Sequence, residues 1–319
     1  MRLRECLEAA TDPAVLSGSR LMNASHNGAV RVVVDKVRLY FDVEGCGLAA
    51  QGDAMVQRSA LVLLHGGPGA DHSFFKPEFS AMADAAQVIY LDQRGSGRSD
   101  RGDPSGWTWS RWAEDVAGFC DALEIASPVL VGTSSGGRVA VECAARHPGL
   151  AGGLVLDSTL FESGLDETLE VFGRRGAPAA REAAAGLVGG DRSPEALAAW
   201  KAHAMPLYGS EADGDMAARG ARAMVNREVQ ACFGRGECGP LKVTAEDLDK
   251  VTCPVLILAG EDDPMSPAAA ARRVASSVQQ AAVEIQVFPG VGHGVFRQAP
   301  AEAFARLRAF VSALSDPGS

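Results

Sequence analysis

Pro128-Val129-Leu130-Val131-Gly132-Thr133-Ser134-Ser135-Gly136-Gly137 joins an apolar run to a cluster of glycines and small polar residues. Arg138-Val139-Ala140-Val141-Glu142-Cys143-Ala144-Ala145, which follows, reads as helix. The stretch is therefore Gly-x-Ser-x-Gly between a strand and a helix, the setting in which that motif forms a nucleophile elbow. A strand that becomes a helix within one residue holds the Ser134 backbone in a strained conformation, where flanking side chains would clash. Gly132 and Gly136 remove that clash. Ser134 Oγ then projects from the strand tip, and the N-terminus of the next helix favours negative charge developing there. A glycine-rich turn before a helix has the same letters, so the other parts of a reaction site must be found elsewhere in the chain.

The chain has 319 residues and a formal net charge of −10. The length fits one large α/β domain or two small ones. Apolar residues make up 47% of it, ample for a sizeable core in a globular protein. The negative charge argues against nucleic acid or an anionic membrane as a partner. Seven cysteines are scattered without Cys-x-x-Cys spacing, an odd number that fits reduced, buried thiols and a cytoplasmic protein. Cys232 and Cys238 are close in sequence, but no histidine accompanies them, so neither a metal site nor a disulfide is expected there. Residues 1–28 hold Arg2, Arg4, Glu5, Glu8 and Asp12 without a long apolar block. They read as an N-terminal extension, mostly loop, and not as a secretory signal or membrane span.

Taken in order, residues 30–34 and 37–43 form a β-branched hairpin around Asp35-Lys36, and 44–58 is turn-like. Residues 60–64 are an apolar run of buried-strand type that leads into His65-Gly66-Gly67-Pro68-Gly69. Those small or rigid residues leave backbone N–H groups uncovered at a strand end, as an oxyanion site needs. His65 and His72 read as structural. Residues 74–86 predict a helix and 87–91 another buried strand. The Gly-x-Gly of Asp92-Gln93-Arg94-Gly95-Ser96-Gly97-Arg98-Ser99-Asp100 lacks a third glycine and a following helix, which argues against a nucleotide loop. Asp92 and Arg94 are expected to lock that loop by charge-assisted hydrogen bonds. Trp107, Trp109 and Trp112 either line a pocket or pack, and Thr108 and Ser110 are the candidate N-caps of a helix running to Leu123.

Residues 153–157 are a further strand, after which 159–249 contain only Ala-rich, charged, helix-prone segments. Strands resume at 253–259 and 283–288, and an amphipathic helix at 301–314 closes the chain. This alternation predicts an α/β fold, a mostly parallel sheet flanked by helices, with an inserted helical cap over the strand C-termini. The expected division is an extension over 1–28, a core over 29–158 and 250–319, and a cap over 159–249.

A serine hydroxyl needs a base at neutral pH, and the base needs an orienting carboxylate. The strand ends supply Ser134, Asp263 and His293 in that order, the chain order of α/β-hydrolases. Asp157 ends an earlier strand and is the alternative acid. Asp263 is preferred because its loop closes the strand just before the one that delivers His293.

With His65-Gly66-Gly67-Pro68-Gly69, Asp92-Gln93-Arg94-Gly95-Ser96-Gly97-Arg98-Ser99, Gly132-Thr133-Ser134-Ser135-Gly136-Gly137, Gly260-x-x-Asp263-x-x-x-Pro267 and Gly292-His293, the chain resembles the proline iminopeptidase-like group of α/β-hydrolases over residues 30–315. The resemblance implies attack by Ser134 with His293 as general base, and an acyl-enzyme that water hydrolyses. It places the oxyanion donors at the N–H groups of Gly67 and Ser135, and it requires no cofactor or metal. Within Asn226-Arg227-Glu228-Val229-Gln230-Ala231-Cys232-Phe233, Glu228 and Phe233 look like part of the segment with which the group holds a substrate ammonium. Two departures stand against peptidase activity. Ser135 is small where the group has a bulky residue, and the His and aromatic residues of that segment are absent. The implied substrate is a small ester, a lactone or an N-terminal aminoacyl compound such as a short peptide. The alternatives are a non-catalytic ligand-binding protein on the same fold and a cofactor-free perhydrolase or haloperoxidase using the same residues. Dehalogenase and epoxide hydrolase chemistry needs Asp at the nucleophile position, which Ser134 excludes. Oligomeric state is not legible.

Overall fold

The computed structural model describes residues 23–24, 30–191, 193–209 and 216–315. The extension expected over 1–28 lies outside the described residues, apart from Asn23–Ala24 (β1), which pairs antiparallel with Val30–Val34 (β2). Val37–Glu44 (β3) completes a hairpin whose turn residues Asp35 and Lys36 both have positive φ, the turn that matches strand twist. The remaining sheet strands are Ala60–Leu64 (β6), Gln87–Leu91 (β7), Val129–Thr133 (β8), Gly153–Asp157 (β9), Val255–Gly260 (β10) and Val283–Phe288 (β11). The order across the nine-stranded sheet is β1-β2-β3-β7-β6-β8-β9-β10-β11. All pairs from β7 onward are parallel.

The continuous apolar strands follow from burial on both faces. Leu130, Leu154, Leu156, Val255 and Ile257 pack on the side of helices Trp109–Ala122, Ser135–Arg146 and Ala268–Ser277. Their neighbours Val129, Val131, Val155, Leu256 and Leu258 face the other side, against Phe304, Leu307 and Phe310 of helix Pro300–Ser315. A strand with water on one side would alternate apolar with polar; these do not.

Two expectations need correction. Residues 74–86 form no single helix but two 3-10 turns, His72–Phe75 and Glu78–Met82. Pro77 lies between them; it lacks an N–H and disfavours helical backbone at Lys76. Residues 44–58 contain a small exposed hairpin, Leu48–Gln51 (β4) with Ala54–Gln57 (β5).

The described residues between 159 and 249 form helices joined by turns, and their two parts pack differently. Helices Leu165–Arg175 and Pro178–Val188 and the π turn Trp200–Ala204 enclose a core of their own from Leu169, Phe172, Ala183, Ala184, Trp200 and Ala204. Helix Arg227–Gly234 and the residues after it join the main core through Val229, Cys232, Cys238, Val243 and Leu248.

Candidate functional site

Six parallel strands end along one edge of the sheet, and Gly67, Ser134, Ser135, Asp263 and His293 sit at or just beyond the ends of four of them. Ser134 follows β8 with φ 55° and ψ −121°, a strained backbone for a non-glycine residue. A Cβ on Gly132 would lie 2.5 Å from the Gly136 carbonyl oxygen, and one on Gly136 would lie 2.0 Å from that of Leu64. Glycine at both positions is what lets the turn close. The loop after β6 packs directly on the serine, since a Cβ on Gly66 would be 2.8 Å from Ser134 Cβ. Ser135 opens helix Ser135–Arg146, whose first N–H groups have no intrahelical acceptor. Among the described residues, neither the Gly67 nor the Ser135 N–H has a backbone acceptor.

His293 and Asp263 come together as the sequence predicts. Their Nδ1 and Oδ2 atoms are 2.8 Å apart. A carboxylate only accepts, so Nδ1 carries the proton and Nε2 is left with a free lone pair. Asp263 is fully buried, and its other oxygen accepts from the N–H groups of Met265 (2.8 Å) and Ser266 (2.9 Å). Burial works against a charged imidazole, but the Asp263 charge and hydrogen bond outweigh it, so the His293 pKa is raised from its ordinary value. Ser134 is half-buried, and its hydroxyl makes no hydrogen bond with the described residues.

Asp157 is buried at the end of β9 and is bonded elsewhere. It accepts from Val295 N–H (2.9 Å), Thr133 Oγ1 (3.0 Å) and Ser158 Oγ (3.2 Å). Burial pushes its carboxyl pKa up, against the pull of the Val295 N–H and Arg297. His65 is neutral: its Nε2 accepts from Gln93 N–H at 3.3 Å, and burial pushes its pKa down. His72 Nδ1 is held by Asp92 at 2.7 Å. Asp92 also accepts from Arg98 N–H (2.8 Å), and Arg94 grips Asp115 at 2.6 and 2.7 Å. That is the loop lock expected of the pair. Among the described residues no cluster of three or more His, Cys, Asp or Glu could hold a metal ion. The thiols of Cys232 and Cys238 are free and 3.8 Å apart.

The model of the alpha/beta hydrolase family matches residues 61–307, which include every loop named above. The chain belongs to the alpha/beta hydrolase family. It is 28% identical over 258 residues to a Caulobacter sp. (strain K31) protein with the provisional name carbamate hydrolase RutD, covering 76% of this chain and 87% of that one. It is 28% identical over 272 residues to a Lactobacillus helveticus proline iminopeptidase, covering 79% and 89%. The solved esterase RhEst1 from Rhodococcus sp. ECU1013 superposes with a TM-score of 0.66 at 25% identity, covering 89% of this chain and 98% of that one.

In this alpha/beta hydrolase frame, the two residues assigned to substrate binding, Glu228 and Phe233, both lie on helix Arg227–Gly234. Phe233 lies with the main core, its ring centroid 6.0 Å from that of Trp109. Glu228 is exposed, in the first turn of helix Arg227–Gly234, which buries Val229 and Cys232. The tryptophans pack: all three are buried, and their indole N–H groups donate to Arg101, Gly239 and Arg94 carbonyls at 2.8–2.9 Å. Tyr208 was not singled out in the sequence, yet its carbonyl accepts the His293 N–H at 2.6 Å and its ring lies 5.7 Å from the imidazole. The bond runs through a backbone carbonyl, so no side-chain pattern signals it. No helix among the described residues is long and apolar enough to cross a membrane.

Proposed function

We propose that this alpha/beta hydrolase is a serine hydrolase that acts through an acyl-enzyme on small esters or lactones. Ser134 attacks the substrate carbonyl while His293 Nε2 takes its proton, and Asp263 holds the imidazole in the tautomer that makes this possible. The N–H groups of Gly67 and Ser135 receive the negative charge on the carbonyl oxygen. His293 then protonates the leaving alkoxide, and a water activated by the same histidine releases the acid. Residues 159–208 and 216–249 act as the cap over the reaction.

The observation that carries this reading is the strained Ser134 after β8, in the same row of parallel strand ends from which the loops after β10 and β11 bring Asp263 and His293 together at 2.8 Å. The open Ser134 hydroxyl is compatible with it, because catalytic hydrogen bonds often tighten only once substrate binds. Ester or lactone is preferred over an N-terminal aminoacyl substrate because Glu228 and Phe233 do not form a buried ammonium site. The test is a fluorophosphonate probe and a panel of p-nitrophenyl esters, lactones and aminoacyl-naphthylamides. The parent should be labelled and should turn over the first two classes. Ser134→Ala should lose labelling and at least about 10⁴-fold in kcat. Undiminished labelling of that variant would remove the assignment.

A further inference from the structure

One arginine ties the helical segment to the loops that carry Asp263 and His293. Arg175 is the last residue of helix Leu165–Arg175. Its guanidinium donates to three backbone carbonyls: those of Leu207, of Gly209 at 2.7 Å and of Asp262 at 2.8 Å. Two of these flank Tyr208, and the third immediately precedes Asp263. Tyr208 in turn accepts the His293 N–H at 2.6 Å. Close approach is built into the histidine loop, because a Cβ on Gly292 would lie 2.3 Å from the Tyr208 carbonyl oxygen and 3.2 Å from Arg175 Nη1. Behind Tyr208, its ring packs on Trp200 at 5.7 Å, and Trp200 packs on Phe172 at 5.6 Å, inside the segment's own core.

We propose that Arg175 is a positioning residue for the reaction, which with Tyr208 sets the placement of His293 against Asp263 from the helical segment. The inference rests on the triad reading above. Its physical basis is the fork of the guanidinium, which spans carbonyls on two separate loops at once. Arg175 has no carboxylate partner among the described residues, and its three hydrogen bonds all go to these loops. Arg174 is the natural control. It tethers the same acid loop, donating to Asp262 Oδ1 at 3.1 Å and the Glu261 carbonyl at 3.2 Å, but it reaches nothing next to Tyr208. The other charged groups around His293 are Asp263, Asp157 and Arg297, which donates to the His293 carbonyl at 2.7 Å.

The experiment measures kcat, KM and the pH dependence of fluorophosphonate labelling on the full chain, with unfolding temperature recorded alongside. A misplacement of about 1 Å costs roughly 10²-fold, so Arg175→Met should lower kcat and the labelling rate by about that factor with KM nearly unchanged. It should also move the labelling midpoint to lower pH, as the His293–Asp263 contact loosens. Arg175→Lys should not restore the rate, since a point charge cannot span three carbonyls. Arg174→Ala should stay within about two-fold of the parent. Gly292→Ala, which forces Tyr208 away while keeping Arg175, should reproduce the loss and decides the matter if Arg175→Met does not fold. An unchanged kcat in Arg175→Met or Gly292→Ala, full rescue by Lys, or equal losses in both arginine variants overturns the proposal. Continued labelling of Ser134→Ala would instead mark failure of the triad reading itself.

Discussion

The ends of β9 and β10 lie side by side, Asp157 opposite Leu258 in the parallel register, and each region carries a buried aspartate. What differs is the donors. Asp263 accepts two backbone N–H groups on one oxygen and keeps the other for the His293 ring. Asp157 spends its oxygens on Thr133, Val295 and Ser158, and Ser158 Oγ accepts the Gly294 N–H at 2.8 Å. Thr133 precedes the serine, and Gly294 and Val295 follow the histidine. The β9 end therefore staples the serine turn to the histidine loop, while the β10 end acts on the imidazole itself. Two carboxylates of equal burial take different roles because only one faces a ring nitrogen.

Exchange of each for asparagine is the strongest way to break this comparison. In Asp263→Asn the amide oxygen must stay with Met265 and Ser266 N–H, so the NH₂ turns to His293. Nδ1 is then forced to accept, the proton moves to Nε2, and the base is lost. From the triad precedent kcat should fall by about 10⁴-fold. In Asp157→Asn the amide still accepts from Val295, and the Thr133 hydroxyl can rotate to accept from the NH₂. Turnover of a neutral ester should stay within about ten-fold of the parent. A reversed pair of results, read as kcat on one ester, would make Asp157 the acid.

The pH profile sharpens the same contrast with a smaller effect. The imidazole must be neutral to take the serine proton, and its pKa is raised above the free value of about 6.5. Labelling and kcat/KM should therefore rise with pH through a midpoint above 6.5. The contribution to folding runs the other way. A group whose folded pKa is raised stabilises fully below its unfolded pKa, and that stability is lost as pH climbs through the folded value. Asp263→Asn should remove the folding term and Asp157→Asn should keep it. A midpoint at or below about 6 in the parent would mean that burial, not Asp263, governs His293.

The two regions also differ in how much of them was legible in sequence. Apolar runs with glycine after them, such as 129–132 and 255–260, announce strands buried on both faces, and each strand end then points to its loop. The elbow, Asp263 and His293 follow from that local grammar. Residues 74–86 break into two turns because Pro77 outweighs helix propensity over a short segment. The inserted helices carry no such grammar: which of their faces meets the serine depends on packing between distant segments. Phe233 against Trp109 and the Tyr208 carbonyl against His293 are long-range contacts that spacing does not encode.

The smallest expected effect concerns that second region. Glu228 lies in the first turn of helix Arg227–Gly234, and its own N–H donates to Asn226 Oδ1 at 3.0 Å. No described residue bonds its carboxylate. A substrate ammonium that met this exposed carboxylate would stay hydrated, and an exposed ion pair is worth at most about a five-fold effect. A desolvated charge-assisted contact would be worth roughly 10- to 150-fold. Glu228→Gln should therefore leave kcat/KM for short-chain esters unchanged and alter it for aminoacyl-naphthylamides by less than about five-fold. A loss of ten-fold or more confined to the aminoacyl substrates would show that the helix closes over the substrate amine, and would return the peptidase reading to first place.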